Sequence, residues 1–374
     1  MHKFKRVLRV MVLCCLVLLC LVCLPLVGVG IACRPFATVP PGAPRAAVHP
    51  AASAVTAGLT DYARPEDQTY LTLPEWYIVY SADEYAAFIA THPPSRFPYF
   101  GAIWQYWRSY YDVCAVTRVQ YPFNADYHFT LAVIGSSFTL ENLLKGLYEN
   151  TIGRLTEWLS SNALTAEDAY ARQVAKEYGD FIHTIPWYEF LFHAKFQGLW
   201  STTPFWGPHV IRKWERKFAL SLEYGGKALY GRLIRQGTQA TYVPEKLAIQ
   251  AWVEGLSDEV LQGQPDLRLV KSLNTLAAIV AIPRYQAFTV VVPQLAQHGV
   301  RFVEIAGNDD ILMTVLAPKN WAYDLPAGQC LFAMPILTQP AWQRLAVHVP
   351  VPALHLALNG LAGRHLTLEH LYDY

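Results

Sequence analysis

The chain opens with a basic, then wholly apolar, stretch. Lys3, Lys5, Arg6 and Arg9 are followed by Val10 to Ala32, which contains no charged residue. A helix needs about 20 apolar residues to cross the hydrocarbon core, so this run predicts a transmembrane anchor. The cationic flank places the N-terminus in the cytoplasm and the bulk of the chain outside it. A cleaved signal peptide has a shorter apolar core, of roughly 7–15 residues, ending at small residues. Here Ala52-Ser53-Ala54 lies well beyond the run. Gly30-Ile31-Ala32-Cys33 offers a lipoprotein-like alternative, with Gly where a larger aliphatic is expected.

Beyond the anchor (1–33) the pattern divides into three regions. Residues 34–60 are rich in Ala and Pro, with Pro35, Pro40, Pro41, Pro44 and Pro50, and predict an extended spacer. Residues 61–266 carry helical periodicity. A helix is expected from Thr139 to about Ser160, with Leu140, Leu144, Leu147, Thr151, Leu155 and Trp158 on one face. Thr165-Ala-Glu-Asp168 is a capping-box start for the next. A third helix spans Ile211 to Arg235, although Phe218, Leu220, Leu222 and Tyr224 alternate as a strand would. Residues 267–374 mix the two periods. A helix over Arg284 to His298 precedes strands at Val300–Ile305 and Ile311–Leu316, flanking a hairpin-like Ala-Gly-Asn-Asp-Asp. Further strands follow at Cys330–Leu337 and Arg344–Val351, and a helix at Ala353–Leu361. The expected fold class is α+β: a transmembrane helix, an aromatic-rich mainly helical region, then helices on an antiparallel sheet. No internal repeat is visible. Tyr127–Leu140 and Leu273–Ala296 are the apolar stretches closest to a second span. The first is too short and Pro283-Arg284 splits the second, so both read as core or interfacial elements.

Composition narrows the function classes. Only 16% of residues are charged while 53% are hydrophobic, and the net charge is +1. Disorder is excluded by the apolar content, and no basic excess supports nucleic-acid binding. Without the four N-terminal cations the remainder is mildly acidic, so a polybasic grip on lipid headgroups is not expected.

Candidate chemistry is sparse. Asp180 and His183 stand at i, i+3, and Glu189 and His193 at i, i+4, a set suited to a transition metal. Pro186 breaks any helix between the two pairs, and no second motif completes a bundle site. Glu141, Lys145 and Glu149 form an i, i+4, i+8 ladder on the face away from the leucines, which reads as a solvated ion-pair row. His365, Glu369 and His370, with His355 earlier, lack metal-pair spacing, and no HExxH occurs. Glu304 with Gly307-Asn308-Asp309-Asp310 reads as a turn. No G-x-S-x-G, Walker A or G-x-G-x-x-G is present.

The aromatics are the stronger anomaly: 13% of residues are Phe, Trp or Tyr. Trp104, Trp107, Trp187, Trp200 and Trp206 are the candidates for membrane or partner contact, against an aromatic core or an apolar ligand pocket. Cys14, Cys15, Cys20, Cys23 and Cys33 belong to the apolar run or its edge, where packing accounts for them. Cys114 and Cys330 then remain as either a disulfide tying the two halves together or two buried thiols. The expected function is a non-catalytic envelope interaction or accessory protein, with the membrane, and a lipid or an envelope protein, as partners and no cofactor. The alternatives are a metal-dependent extracytoplasmic enzyme using the Asp/His/Glu/His set, or a carrier of apolar ligands.

Overall fold

A computed structural model describes Cys20 and residues 23–33, 51–238 and 247–374. The N-terminal stub, most of the apolar run with Cys14 and Cys15, and residues 34–50 of the expected spacer lie outside the described residues. Among those described, no helix is long and apolar enough to cross a membrane.

The chain is α+β. Helix α1 (23–32) leads to the single turn α2 (Ala52–Val55) and then to α3 (Gln68–Thr91), α4 (Tyr99–Gln120) and α5 (Ala125–Tyr148). A π-helical turn, Glu149–Gly153, joins α5 to α6 (Arg154–Leu159); α7 (Ala166–Ile182), α8 (Phe192–Thr202) and α9 (Val210–Thr238) complete the helical region. The helix expected from Thr139 in fact starts at Ala125, where the Asn124 side chain accepts the Tyr127 amide. Thr139 is mid-helix and receives the Trp107 indole N–H instead. Thr165 and Asp168 do form the capping box that opens α7.

The remainder builds two four-stranded antiparallel sheets. The first holds β1 (Ala248–Glu254), β2 (Arg268–Ser272), β3 (Ala277–Pro283) and β4 (Arg301–Ile305), in the order β2-β3-β1-β4. The short α10 (Asp258–Gln262) follows β1, and α11 (Gln286–Gln297) connects β3 to β4. The second holds β5 (Asp310–Pro318), β6 (Gln329–Pro335), β7 (Trp342–Pro350) and β8 (Thr367–Tyr372), in the order β6-β7-β5-β8, with α12 (Leu354–Ala362) between β7 and β8. The two units share strand order and helix insertion point. They also share bulge positions: the β1–β4 register shifts at Trp252/Val253 and the β5–β8 register at Thr314/Val315. This is a tandem βββαβ repeat that the residue pattern conceals, because a sheet constrains alternation and not residue identity. The first unit begins at Ala248, ahead of the compositional shift at residue 267.

The expected hairpin across residues 300–316 does not form. Ala306 and Gly307 have positive φ of 52° and 71° and turn the chain out of the first sheet into the second. Strand β4 therefore pairs with β1, whereas β5 pairs with β7 and β8.

Strand alternation sets the layers. Ile311, Met313 and Val315 join one core with Val280, Phe288, Val292, Leu345 and Leu358, drawn from both sheets, α11 and α12. Leu312, Ala346 and Tyr372 point the other way and pack with Leu73, Trp76, Tyr77 and Tyr80 of α3. The Thr69 hydroxyl donates to Tyr372 O and accepts the Leu312 amide, fixing α3 to the second sheet. The outer face of the first sheet, with Trp252 and Ile279, is covered by Val55, Leu59 and Tyr62. Lys271 donates to Val55 O at 2.7 Å. The described end of the expected spacer is thus packed structure.

Candidate functional site: an apolar helical face over an ionic interior

Helix α9 carries two faces of opposite character. Arg212, Lys213, Glu215, Arg216 and Lys217 are buried, while Ile211, Phe218, Leu222, Leu229 and Leu233 are exposed. The exposed set recurs at spacings of seven and four, which keeps it in one row along a 3.6-residue helix. The buried set pairs with acids of neighbouring helices and, through Glu215, within α9 itself. Arg212 pairs with Asp168 at 3.0 Å, with Glu157 at 3.3 Å and with Glu215 at 3.0 Å. Lys213 meets Glu167 at 3.0 Å, and Lys217 meets the same carboxylate at 3.4 Å. Arg216 bridges Glu149 at 2.9 Å and Glu215 at 2.6 Å. Buried charges are tolerated only when paired in this way.

The same inversion governs α5 and α6. Leu140, Leu144, Leu147, Leu155 and Trp158, which share a face as expected, are all exposed. Of the Glu141–Lys145–Glu149 ladder only Glu141 is exposed; Lys145 is half-buried and Glu149 buried, and all three pair with α9 instead of with one another, which overturns the reading as a solvated row. Lys145 binds Glu223 at 2.9 Å, and Glu141 binds Lys227 at 2.7 Å. Burial alone would raise the Glu223 carboxyl, but Lys145 and Lys227 hold it at about 2. Burial raises Glu149 despite the opposing Arg216. On α4, Phe100, Trp104 and Tyr111 continue the outward apolar row. Helices α5–α6 and α9 therefore present apolar rows outward and enclose ions, while the inward face of α4 packs Tyr106, Trp107 and Tyr110 into the aromatic core.

The proposed contact tryptophans divide. Trp104 is 68% exposed and Trp206 74% exposed, whereas Trp107 is buried. Trp187 is half-buried against Tyr230, and Trp200 is half-buried with its indole N–H on Ser221. Trp158, not singled out from the sequence, is as exposed as Trp206, at 72%.

The four candidate metal ligands each have a separate environment. Asp180 is exposed and paired with Lys176 at 2.7 Å. His183 Nε2 meets Asp83 Oδ2 on α3 at 2.7 Å. Glu189 faces Arg235 at 3.6 Å. His193 is exposed beside a shallow groove lined by Tyr188, Phe192, Arg232 and Arg235. Among the described residues, the His, Cys, Asp and Glu groups with ligand atoms within 4.8 Å of one another are Cys33–Cys114–His128 and Glu66–Asp309–Asp310, so the four do not converge. Pro186 is the reason: it starts a separate 3-10 turn, Trp187–Glu189, after α7 has ended.

His183 gains a raised pKa from its hydrogen bond to Asp83, against the effect of burial. His370 is fully buried on β8 and stacked on Trp76 at 3.5 Å between ring centroids. Burial, with His183 nearby, drives its pKa well below the ordinary value. His370 ties the sheet to α3 and α11, since its Nδ1 also meets Thr289 Oγ1 at 2.9 Å.

The disulfide is not the one expected. Cys114 bonds Cys33, at the end of α1, and Cys330 is a free, half-buried thiol. Cys330 lies on β6, next to β7, whereas Cys114 is held within α4 against α1. Arg118 of α4 also donates to Ala32 O at 3.3 Å. While the bond holds, Cys33 has no free thiol.

Comparison with family models, with curated proteins and with solved structures finds no match.

Proposed function

We propose that this chain is a membrane-anchored, extracytoplasmic, non-catalytic accessory protein whose helical region lies on the bilayer surface. The observation that carries the reading is the outward apolar rows on α5–α6 and α9 above an ionic interior, with Phe100, Trp104 and Tyr111 of α4 also exposed. A helix with one apolar and one polar face lies in the interface plane, with the apolar face among the acyl boundary groups. Ionisable groups near lipid face the bundle interior and pair with one another. The exposed Trp104, Trp158 and Trp206 suit the membrane–water boundary, where an indole has both an apolar body and a polar N–H.

The occupant is the lipid bilayer by continuity of the chain. The apolar run ends at Cys33, and the Cys33–Cys114 bond attaches that end covalently to α4. An anchor leaving the membrane there holds α4 and its neighbour α5 against the surface it has just left. The helical region then acts as a platform, carrying the two sheets on α3 and leaving them accessible to an envelope partner.

The test is reconstitution of the full chain into phosphatidylcholine–phosphatidylglycerol vesicles containing a lipid-partitioned diazirine probe. Photolabelling at Leu144, Leu222 and Leu229, in addition to residues 10–32, is the expected result. Labelling confined to residues 10–32 overturns bilayer contact, and cross-linking of the same rows to a protein assigns them to a partner instead.

A further inference from the structure

We propose that Cys33, Cys114 and His128 form a redox-gated binding site for a thiophilic d10 ion of the Zn(II) or Cu(I) type. Their ligand atoms all lie within 4.8 Å of one another, and they come from three elements: the end of α1, the middle of α4 and the first turn of α5. Two thiolates and one imidazole are the donor set such ions favour, and three protein ligands leave a position open for water or another ligand.

The imidazole is held as a ligand imidazole is. Its Nδ1 is 2.8 Å from the Tyr110 hydroxyl, and that hydroxyl is also 3.3 Å from the His128 carbonyl oxygen. The phenol has one proton. When it donates that proton to the carbonyl, the ring donates Nδ1–H to the phenol oxygen and keeps its lone pair on Nε2. Outer hydrogen bonds of this kind fix the tautomer and plane of a metal-bound histidine. The Phe123 ring stacks on the imidazole at 4.4 Å with an interplanar angle of 6°, which restrains ring rotation further. Both sulfurs are buried.

The bonded pair and the ion exclude each other. Opening the S–S bond takes two electrons and two protons, supplied by a dithiol reductant that itself closes to a disulfide. The ion then displaces the two thiol protons and binds both thiolates and the imidazole. Oxidation by a dithiol–disulfide exchange partner reverses the step and releases the ion.

The test uses the full chain in detergent micelles, carrying Cys14→Ala, Cys15→Ala, Cys20→Ala, Cys23→Ala and Cys330→Ala so that no other thiol contributes. After reduction and anaerobic removal of the reductant, Co(II) is titrated in as the probe. One equivalent with thiolate-to-metal charge-transfer absorption, displaced by Zn(II), is expected from the reduced chain and none from the oxidised chain. Tyr110→Phe weakens binding by about tenfold, and His128→Ala by at least that, with a changed visible spectrum. The proposal is overturned when the reduced chain takes up no more Co(II) than a Cys114→Ser control. It also fails when His128→Ala binds with unchanged affinity and spectrum. The oxidised parent serves as the folded control, so misfolding of one variant does not decide the result.

Discussion

Arg216 is 2% exposed, whereas Phe218, two residues further along the same helix, is 58% exposed. The exchange of the usual places is tolerated because Arg216 is paired with Glu149 and Glu215, which offset the cost of its burial. Removing Arg216 takes the ion-pair partner from the buried Glu149, while Glu215 keeps Arg212. Arg216→Ala is therefore expected to destabilise the fold by about 3–5 kcal/mol. Phe218→Gln is expected to change it by about 0.5 kcal/mol or less, as surface substitutions do. Urea unfolding of both variants checks the contrast, and equal losses would contradict it.

Glu167 makes a related prediction, because it serves two buried lysines. It pairs with Lys213 and Lys217, while Lys217 also donates to Thr203 O at 3.1 Å and to Thr203 Oγ1, with the Trp200 and Phe205 rings each at 5.3 Å. Glu167→Gln keeps the shape and removes the charge. A loss of about 3–5 kcal/mol in equilibrium unfolding is expected. Glu141→Gln, at an exposed residue paired with Lys227, should cost clearly less.

Gly135 is pinned between two rings. A Cβ there would lie 2.3 Å from Tyr106 Cε1 and 2.9 Å from Trp107 Cη2. Neither ring has room to yield: Tyr106 donates to Leu131 O at 2.7 Å and Trp107 to Thr139 Oγ1 at 2.9 Å, one turn to either side. Gly135→Ala should destabilise by about 1–3 kcal/mol through overpacking, despite the better helix propensity of alanine. An unchanged or raised melting temperature would show that α4 and α5 separate more easily than their hydrogen bonds imply.

His183 and His370 pull the pH dependence in opposite directions. The folded pKa of His183 is raised by Asp83, so its contribution is fully present below the unfolded value of about 6.5 and lost as pH rises through the folded value. His370 is depressed in the fold, so the unfolded chain takes up the extra proton and stability falls as pH drops below that same value. Asp83→Asn removes the first effect and leaves the second. The variant should therefore lose most stability relative to the parent at pH 5–6, with the gap narrowing above pH 7. Unfolding series across that range provide the measurement, and a gap constant with pH would dissociate His183 from Asp83.

The bonded cysteines are directly testable. Peptide mapping without reduction should recover Cys33 linked to Cys114, with Cys330 alkylated only slowly because burial raises its pKa. A Cys114–Cys330 peptide would require β6 and α4 to be arranged differently.

The sequence by itself determined which residues share a face. Leu140 to Trp158 do line one side of α5 and α6, Thr165 and Asp168 do cap α7, and the α+β class follows from the change of period along the chain. Periodicity has no sign, however. It groups Leu144 with Leu147, and Glu141 with Lys145, without saying which group meets the protein. Only the tertiary structure decided that, because Lys145 finds Glu223, Arg216 finds Glu149, and Arg212 finds Asp168 on helices distant in sequence. The βββαβ repeat and the Cys33–Cys114 bond were hidden for a related reason. Strand order and sulfur proximity are relations between segments, and alternation or composition within one segment carries no record of them.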